Sequence, residues 1–122
     1  MDEPPLIGIV GPCGAGKSTL ASNLSRLGYS VRHIAQEHSY VPSMWQRITK
    51  PDILIYLDVS YKNTVIRRSL DWTEGEYQDQ LTRLRHARQH ADYYLDTNYL
   101  NQDEVFRAVR SWLHHRINNP DD

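Results

Sequence analysis

Eight consecutive residues, Gly11-Pro12-Cys13-Gly14-Ala15-Gly16-Lys17-Ser18, fit the spacing G-x-x-x-x-G-K-[ST] without a mismatch. Glycines at these positions let successive backbone N–H groups converge into a nest for phosphate oxygens. A helix starting at the end of the nest adds partial positive charge. In that chemistry Lys17 reaches the β- and γ-phosphates, Ser18 ligates the accompanying Mg²⁺, and Thr19 reaches the α-phosphate. The flanks agree: the apolar run 6–10 predicts a buried strand and 18–27 a helix. A glycine-rich turn without a ligand would not need the lysine, the serine and both flanks together. ATP, or another nucleoside triphosphate, is the expected ligand.

Two acids stand where ligands of open α/β sheets gather, beyond the carboxyl ends of strands. Glu37 follows the second predicted strand, and it suits a general base toward an acceptor hydroxyl or a group that orients water around Mg²⁺. A solvated loop acid is the competing reading. Asp58 closes the third predicted strand, as a Mg²⁺ ligand acting through water or as a cap for the following helix. His38 and Ser39 read as loop polar groups, and Tyr40, Met44 and Trp45 as core cover. Arg88 shares the apolar face of a helix with Tyr77, Leu81, Leu84 and Ala91. It either snorkels to water or turns to triphosphate oxygens, in a field that Arg83 and Arg85 reinforce. His86 and His90 fall opposite that stripe, on a face expected to be solvated. Thr49-Lys50-Pro51-Asp52 superficially fits a guanine-reading motif, but no D-x-x-G switch lies between it and the glycine loop, which argues against a GTPase.

The elements that must position these groups alternate between strand and helix. Strands are predicted over 6–10, 30–35, 51–58 and 92–97. Helices are predicted over 18–27, a short one near 42–48, 60–70, 73–92, and a last one after Asn101. Gly28 suits a C-terminal cap, Ser60 an N-cap, and Thr73/Glu76 and Asn101/Glu104 two capping boxes. The expected fold class is α/β: a three-layer sandwich around a small, mostly or wholly parallel sheet of about four strands. The 122 residues suit one domain, with 1–5 and 117–122 expected to be disordered. A net charge of −1 gives no reason to expect nucleic acid as a partner. The one cysteine excludes an internal disulfide and fits a cytoplasmic setting; no apolar run is long enough for a spanning helix, so no membrane association is expected.

Taken together, the glycine loop, Pro51-Asp52 leading into Tyr56-Leu57-Asp58-Val59-Ser60, Arg67, Asp96-Thr97 and the capped last helix resemble the P-loop nucleotide and nucleoside kinases. Thymidylate kinase is the closest comparison. The resemblance implies phosphoryl transfer from ATP to a small acceptor. It also implies that residues 11–18 hold the ATP phosphates, that Arg67, with Arg68 beside it, belongs to a lid, and that 98–100 flank the adenine. The chain departs from that pattern between the second strand and residues 53–58, where only about fifteen residues intervene and no Asp-Arg pair occurs. Whether Glu37 or Asp58 is the metal acid depends on which strand of the family 53–58 represents. A nucleotide-binding regulatory or assembly module, with tyrosines and tryptophans at a homo-oligomer interface, is the alternative to a kinase. Simple ATP hydrolysis is another.

Overall fold

The computed structural model describes residues 3–68 and 71–118. Four strands form one sheet: β1 (Leu6–Val10), β2 (Ser30–His33), β3 (Ile53–Asp58) and β4 (Tyr93–Asp96), in the order β2-β1-β3-β4. Every neighbouring pair is parallel. The central strands are covered on both faces, so β1 and β3 are almost continuously apolar, whereas the edge strands carry Arg32, His33 and Asp96.

Side chains alternate across the sheet and divide the core in two. Ile7, Ile9, Ile55 and Leu57 pack on α1 (Lys17–Arg26) and α4 (Gln102–Asn118) through Leu20, Leu24, Val105, Val109 and Leu113. On the other face Val10, Leu54 and Tyr56 meet Trp45 and α3 (Glu74–His90), which contributes Leu84 and Ala87. Helix α2 (Tyr61–Arg68) follows β3. The result is the expected three-layer α/β sandwich with a wholly parallel four-stranded sheet.

Local signals explain the boundaries. Helix α1 stops because Gly28 takes φ +95, which lets its N–H reach Ser25 O and the N–H of Tyr29 reach Leu24 O. Thr73 and Glu76 cap α3 reciprocally, and Asn101 and Glu104 do the same for α4.

The segment after β2 departs from the expected loop and short helix. A 3₁₀ turn, Gln36–His38, is followed by a π-helical turn, Trp45–Thr49. The cause is Gln36, which is fully buried: its Oε1 accepts from Trp45 N at 2.9 Å, and its Nε2 donates to Val41 O and Arg83 O. One side chain thus pins the segment to itself and to α3. At the far terminus, Ile117 and Asn118 belong to α4 instead of a frayed tail, because Ile117 packs on the core. Residues 1–2 and 119–122 lie outside the described residues, as do residues 69–70 and the side chain of Arg68.

Candidate active site

The glycine loop joins β1 to α1 at the carboxyl edge of the sheet, where Gly11 crosses closely over β3. Gly11 has φ +153, and a Cβ there would stand 2.1 Å from Leu57 O. Gly16 has φ +92 immediately before α1, and nothing lies within 4 Å of the position its Cβ would take. The helix N-terminus therefore opens to a ligand, with φ values that side-chain-bearing residues adopt only at a cost.

Lys17 is only 5% exposed. Its Nζ donates to Gly11 O at 2.6 Å and Pro12 O at 3.1 Å, and pairs with Glu37 Oε2 at 2.9 Å. Glu37 is equally enclosed, and its Oε1 has no hydrogen-bond partner. A buried acceptor of that kind is costly unless something else satisfies it. Beside the pair, the Ser18 hydroxyl lies 3.3 Å from His33 Nδ1. Burial, and next the positive charge of Lys17, hold the His33 pKa below its ordinary value.

A pocket of about 570 Å³ adjoins the loop, walled by Gly14, Gly16 and Thr19 on one side and by Arg67, Leu100 and Asp103 on the other. Arg67 is held there by Thr97: Nη1 donates to Oγ1 at 3.0 Å, and Nη2 to the carbonyl oxygen. Of the segment expected near a base, Leu100 lines the pocket and Tyr99 points to solvent. Asn98 instead accepts from Ser60 N and Asn63 Nδ2, tying down the start of α2.

Two expected site residues make their side-chain contacts outside the Lys17–Glu37 cluster. Asp58, a candidate Mg²⁺ ligand, turns its carboxylate to Val59 N and to the Tyr94 hydroxyl, on the α3 face of the sheet. Arg88, expected to turn to phosphate or snorkel to water, is exposed, as snorkelling requires, and lays its guanidinium over the rings of Tyr94 at 4.9 Å and Tyr56 at 6.0 Å. The reason is its height on α3. Gln80 is level with the loop, and Arg88, eight residues later, is about 12 Å farther along the axis. Burial, and then the hydrogen bond and charge of Asp58, push the Tyr94 phenol up to about 12.

Sequence reasoning passed over Gln80. Its Oε1 accepts from Cys13 N at 2.9 Å and its Nε2 donates to Cys13 Sγ at 3.2 Å, bracketing the loop from α3. A polar residue between Tyr77 and Leu84 on the buried stripe was the available signal. Arg83 donates to Glu37 O and lies 4.6 Å over the Tyr40 ring. Of the two histidines expected on a solvated face, His90 is exposed, whereas His86 is partly buried: its Nδ1 accepts from Trp45 Nε1 at 3.0 Å, because the π-helical turn covers that side of α3.

A parallel sheet, a glycine loop opening onto a helix N-terminus and a buried lysine define a P-loop domain of kinase-like fold. Residues 7–90 match the AAA domain family, to which the chain belongs. Its fold is similar to that of a shikimate kinase from Acinetobacter baumannii solved in complex with shikimate. That likeness has a TM-score of 0.66 at 16% identity, over 98% of this chain and 96% of the other. No curated protein matches the sequence. Among the described residues, no helix is long and apolar enough to cross a membrane.

Proposed function

We propose that this domain binds ATP with Mg²⁺ on residues 11–19 and transfers the γ-phosphoryl group to the hydroxyl of a small acceptor. The observation that carries the reading is the buried Lys17–Glu37 pair, 2.9 Å long, at the open end of α1 beside a nucleoside-sized pocket. Backbone N–H groups of the loop and the α1 terminus cradle the phosphates, while Thr19 and Arg67 stand at the pocket wall. Lys17 exchanges loop carbonyls for phosphate oxygens and neutralises charge on the group in flight. The donor set fits Mg²⁺: the Ser18 hydroxyl lies in the first turn of α1, and Glu37 has a buried oxygen without a partner. Bound Mg²⁺ supplies charge neutralisation at the β- and γ-phosphates. Glu37 either receives the proton of the acceptor hydroxyl as its oxygen bonds to phosphorus and the bond to the β-phosphate oxygen breaks, or orders water on the ion.

Residues 51–60 and 96–97 favour a nucleoside or nucleotide acceptor of the thymidylate-kinase kind. The similar structure solved with shikimate adds a hydroxy acid to the candidates. The reading takes residues 1–122 as one cytoplasmic domain. A second reading, a nucleotide-responsive regulatory or assembly module, draws on the same ion pair, since a loop lysine already held by a buried carboxylate must rearrange when a ligand arrives.

The test is thermal stability with Mg²⁺ and ATP, ADP or GTP, then with ATP plus nucleosides, nucleoside monophosphates or shikimate, followed by product analysis. ATP at one hundred times its Kd should stabilise the fold by about 2.7 kcal/mol. A further shift and a phosphorylated acceptor support the kinase. ATP binding without product supports the module, and no shift with any nucleotide overturns both.

A further inference from the structure

Three side chains with different metal-binding groups converge beside the glycine loop: Cys13 of the loop, and Glu37 and His38 of the 3₁₀ turn after β2. Their ligand atoms all lie within 4.8 Å of one another. Cys13 Sγ is 3.7 Å from His38 Nε2, which is 3.9 Å from Glu37 Oε2. We infer that Cys13, His38 and Glu37 form a binding site for a soft divalent cation of the Zn²⁺ class, distinct in chemistry from the Mg²⁺ that accompanies a nucleotide.

The spacing is nearly that of a formed site. Zn–S and Zn–N bonds of about 2.3 and 2.0 Å at a tetrahedral angle separate sulfur from nitrogen by about 3.5 Å. The observed 3.7 Å is within about 0.2 Å of that edge. The corresponding nitrogen–oxygen edge, about 3.3 Å, needs His38 to move by about half an ångström. Its side chain is 61% exposed and free to do so. Thiolate and imidazole select Zn²⁺ over Mg²⁺, which prefers an all-oxygen shell. The fourth tetrahedral position is left to water.

Two further observations point to a ligand. Glu37 is 2% exposed, yet its Oε1 lacks a hydrogen-bond partner. A carboxylate has about four acceptor sites, so Oε2 can take the cation while the unpartnered Oε1 stays open to Lys17. Gln80, itself buried, donates from Nε2 to Cys13 Sγ, as groups around a metal site stabilise a ligating thiolate. The thiol gives up its proton to solvent on binding, and the metal's charge offsets both anions. Glu37 cannot serve this cation and Mg²⁺ together. The resulting antagonism toward MgATP rests on the nucleotide-binding reading; the metal binding does not.

The test uses the full chain without an affinity tag, titrated with Zn²⁺ and with Co²⁺ as a coloured probe, in the absence of nucleotide. One equivalent should bind, with a sulfur-to-cobalt charge-transfer band. Cys13→Ser should remove the band. His38→Ala, at an exposed side chain that the fold does not need, should weaken binding at least about tenfold and separates this site from the His86–His90 pair. Absence of saturable binding, a spectrum without a thiolate band, or unchanged affinity in His38→Ala overturns the assignment. Because no nucleotide is present, that failure leaves ATP binding untouched, and failure to bind ATP leaves the metal result standing.

Discussion

The β2 and β3 ends of the sheet flank β1 on opposite sides, and each supplies one carboxylate, yet the two serve different surroundings. Glu37 sits on a turn that folds back over the glycine loop, pinned by Gln36, and meets Lys17 in a buried pair. Asp58 ends its strand on the α3 face and accepts from Tyr94, with Arg88 over the same ring. One acid is aligned with the N-terminus of α1, and the other belongs to a half-exposed tyrosine–arginine cluster. Lying beside the loop strand is therefore insufficient. The face of the sheet and the partner opposite decide which acid meets Lys17.

The largest effect that tests this contrast is expected from Lys17→Ala. Leaving Glu37 buried and unpaired should cost about 3–5 kcal/mol, read from the denaturant midpoint. Removing a charge clamp should lower turnover on the order of 10²–10³-fold. If Lys17→Ala with Glu37→Ala is no more stable than Lys17→Ala alone, an unpaired buried Glu37 is not the source of the loss. Next comes the direct comparison of acids by steady-state kinetics. Glu37→Gln should reduce turnover on the order of 10²-fold, while Asp58→Asn leaves it unchanged; equal losses would reverse the assignment of the two ends.

Tyr94→Phe should be milder, about 1 kcal/mol at neutral pH for one lost hydrogen bond, with nucleotide binding intact. The folded phenol ionises at about 12 against an ordinary 10.0. Wild-type stability should thus fall as pH rises from 10 toward 12, and part of that fall should vanish in the variant. The smallest effect belongs to His33. Its folded pKa lies below 6.5, so the unfolded chain takes up the proton first, and stability declines as pH drops through 6.5. His33→Gln should flatten that acid limb in equilibrium unfolding; an unchanged slope would assign the acid sensitivity to other groups.

Much of the architecture was legible in local chemistry. The glycine loop, the apolar runs of β1 and β3, the Gly28 terminator and both capping boxes act within a few residues, so their spacing specifies them. The surroundings of the loop were less legible. Gln80 meets Cys13 across 67 positions, Arg83 meets Glu37 O across 46, and Trp45 meets His86 across 41. No helical periodicity encodes such distances, and a polar residue on an apolar stripe does not name its partner. Arg88 shows the same limit: its face was readable, but its height above two tyrosines was not.

By itself, then, the sequence determined the phosphate-binding loop, the alternation of strands and helices, and the two-sided burial that a parallel sheet requires, because each depends on backbone preference and short-range patterning. Tertiary structure decided the order β2-β1-β3-β4, the choice between Glu37 and Asp58 as partner of Lys17, and the meeting of Cys13, Glu37 and His38. Those outcomes depend on which faces pack together, and packing is settled only when distant segments exclude water from the same core.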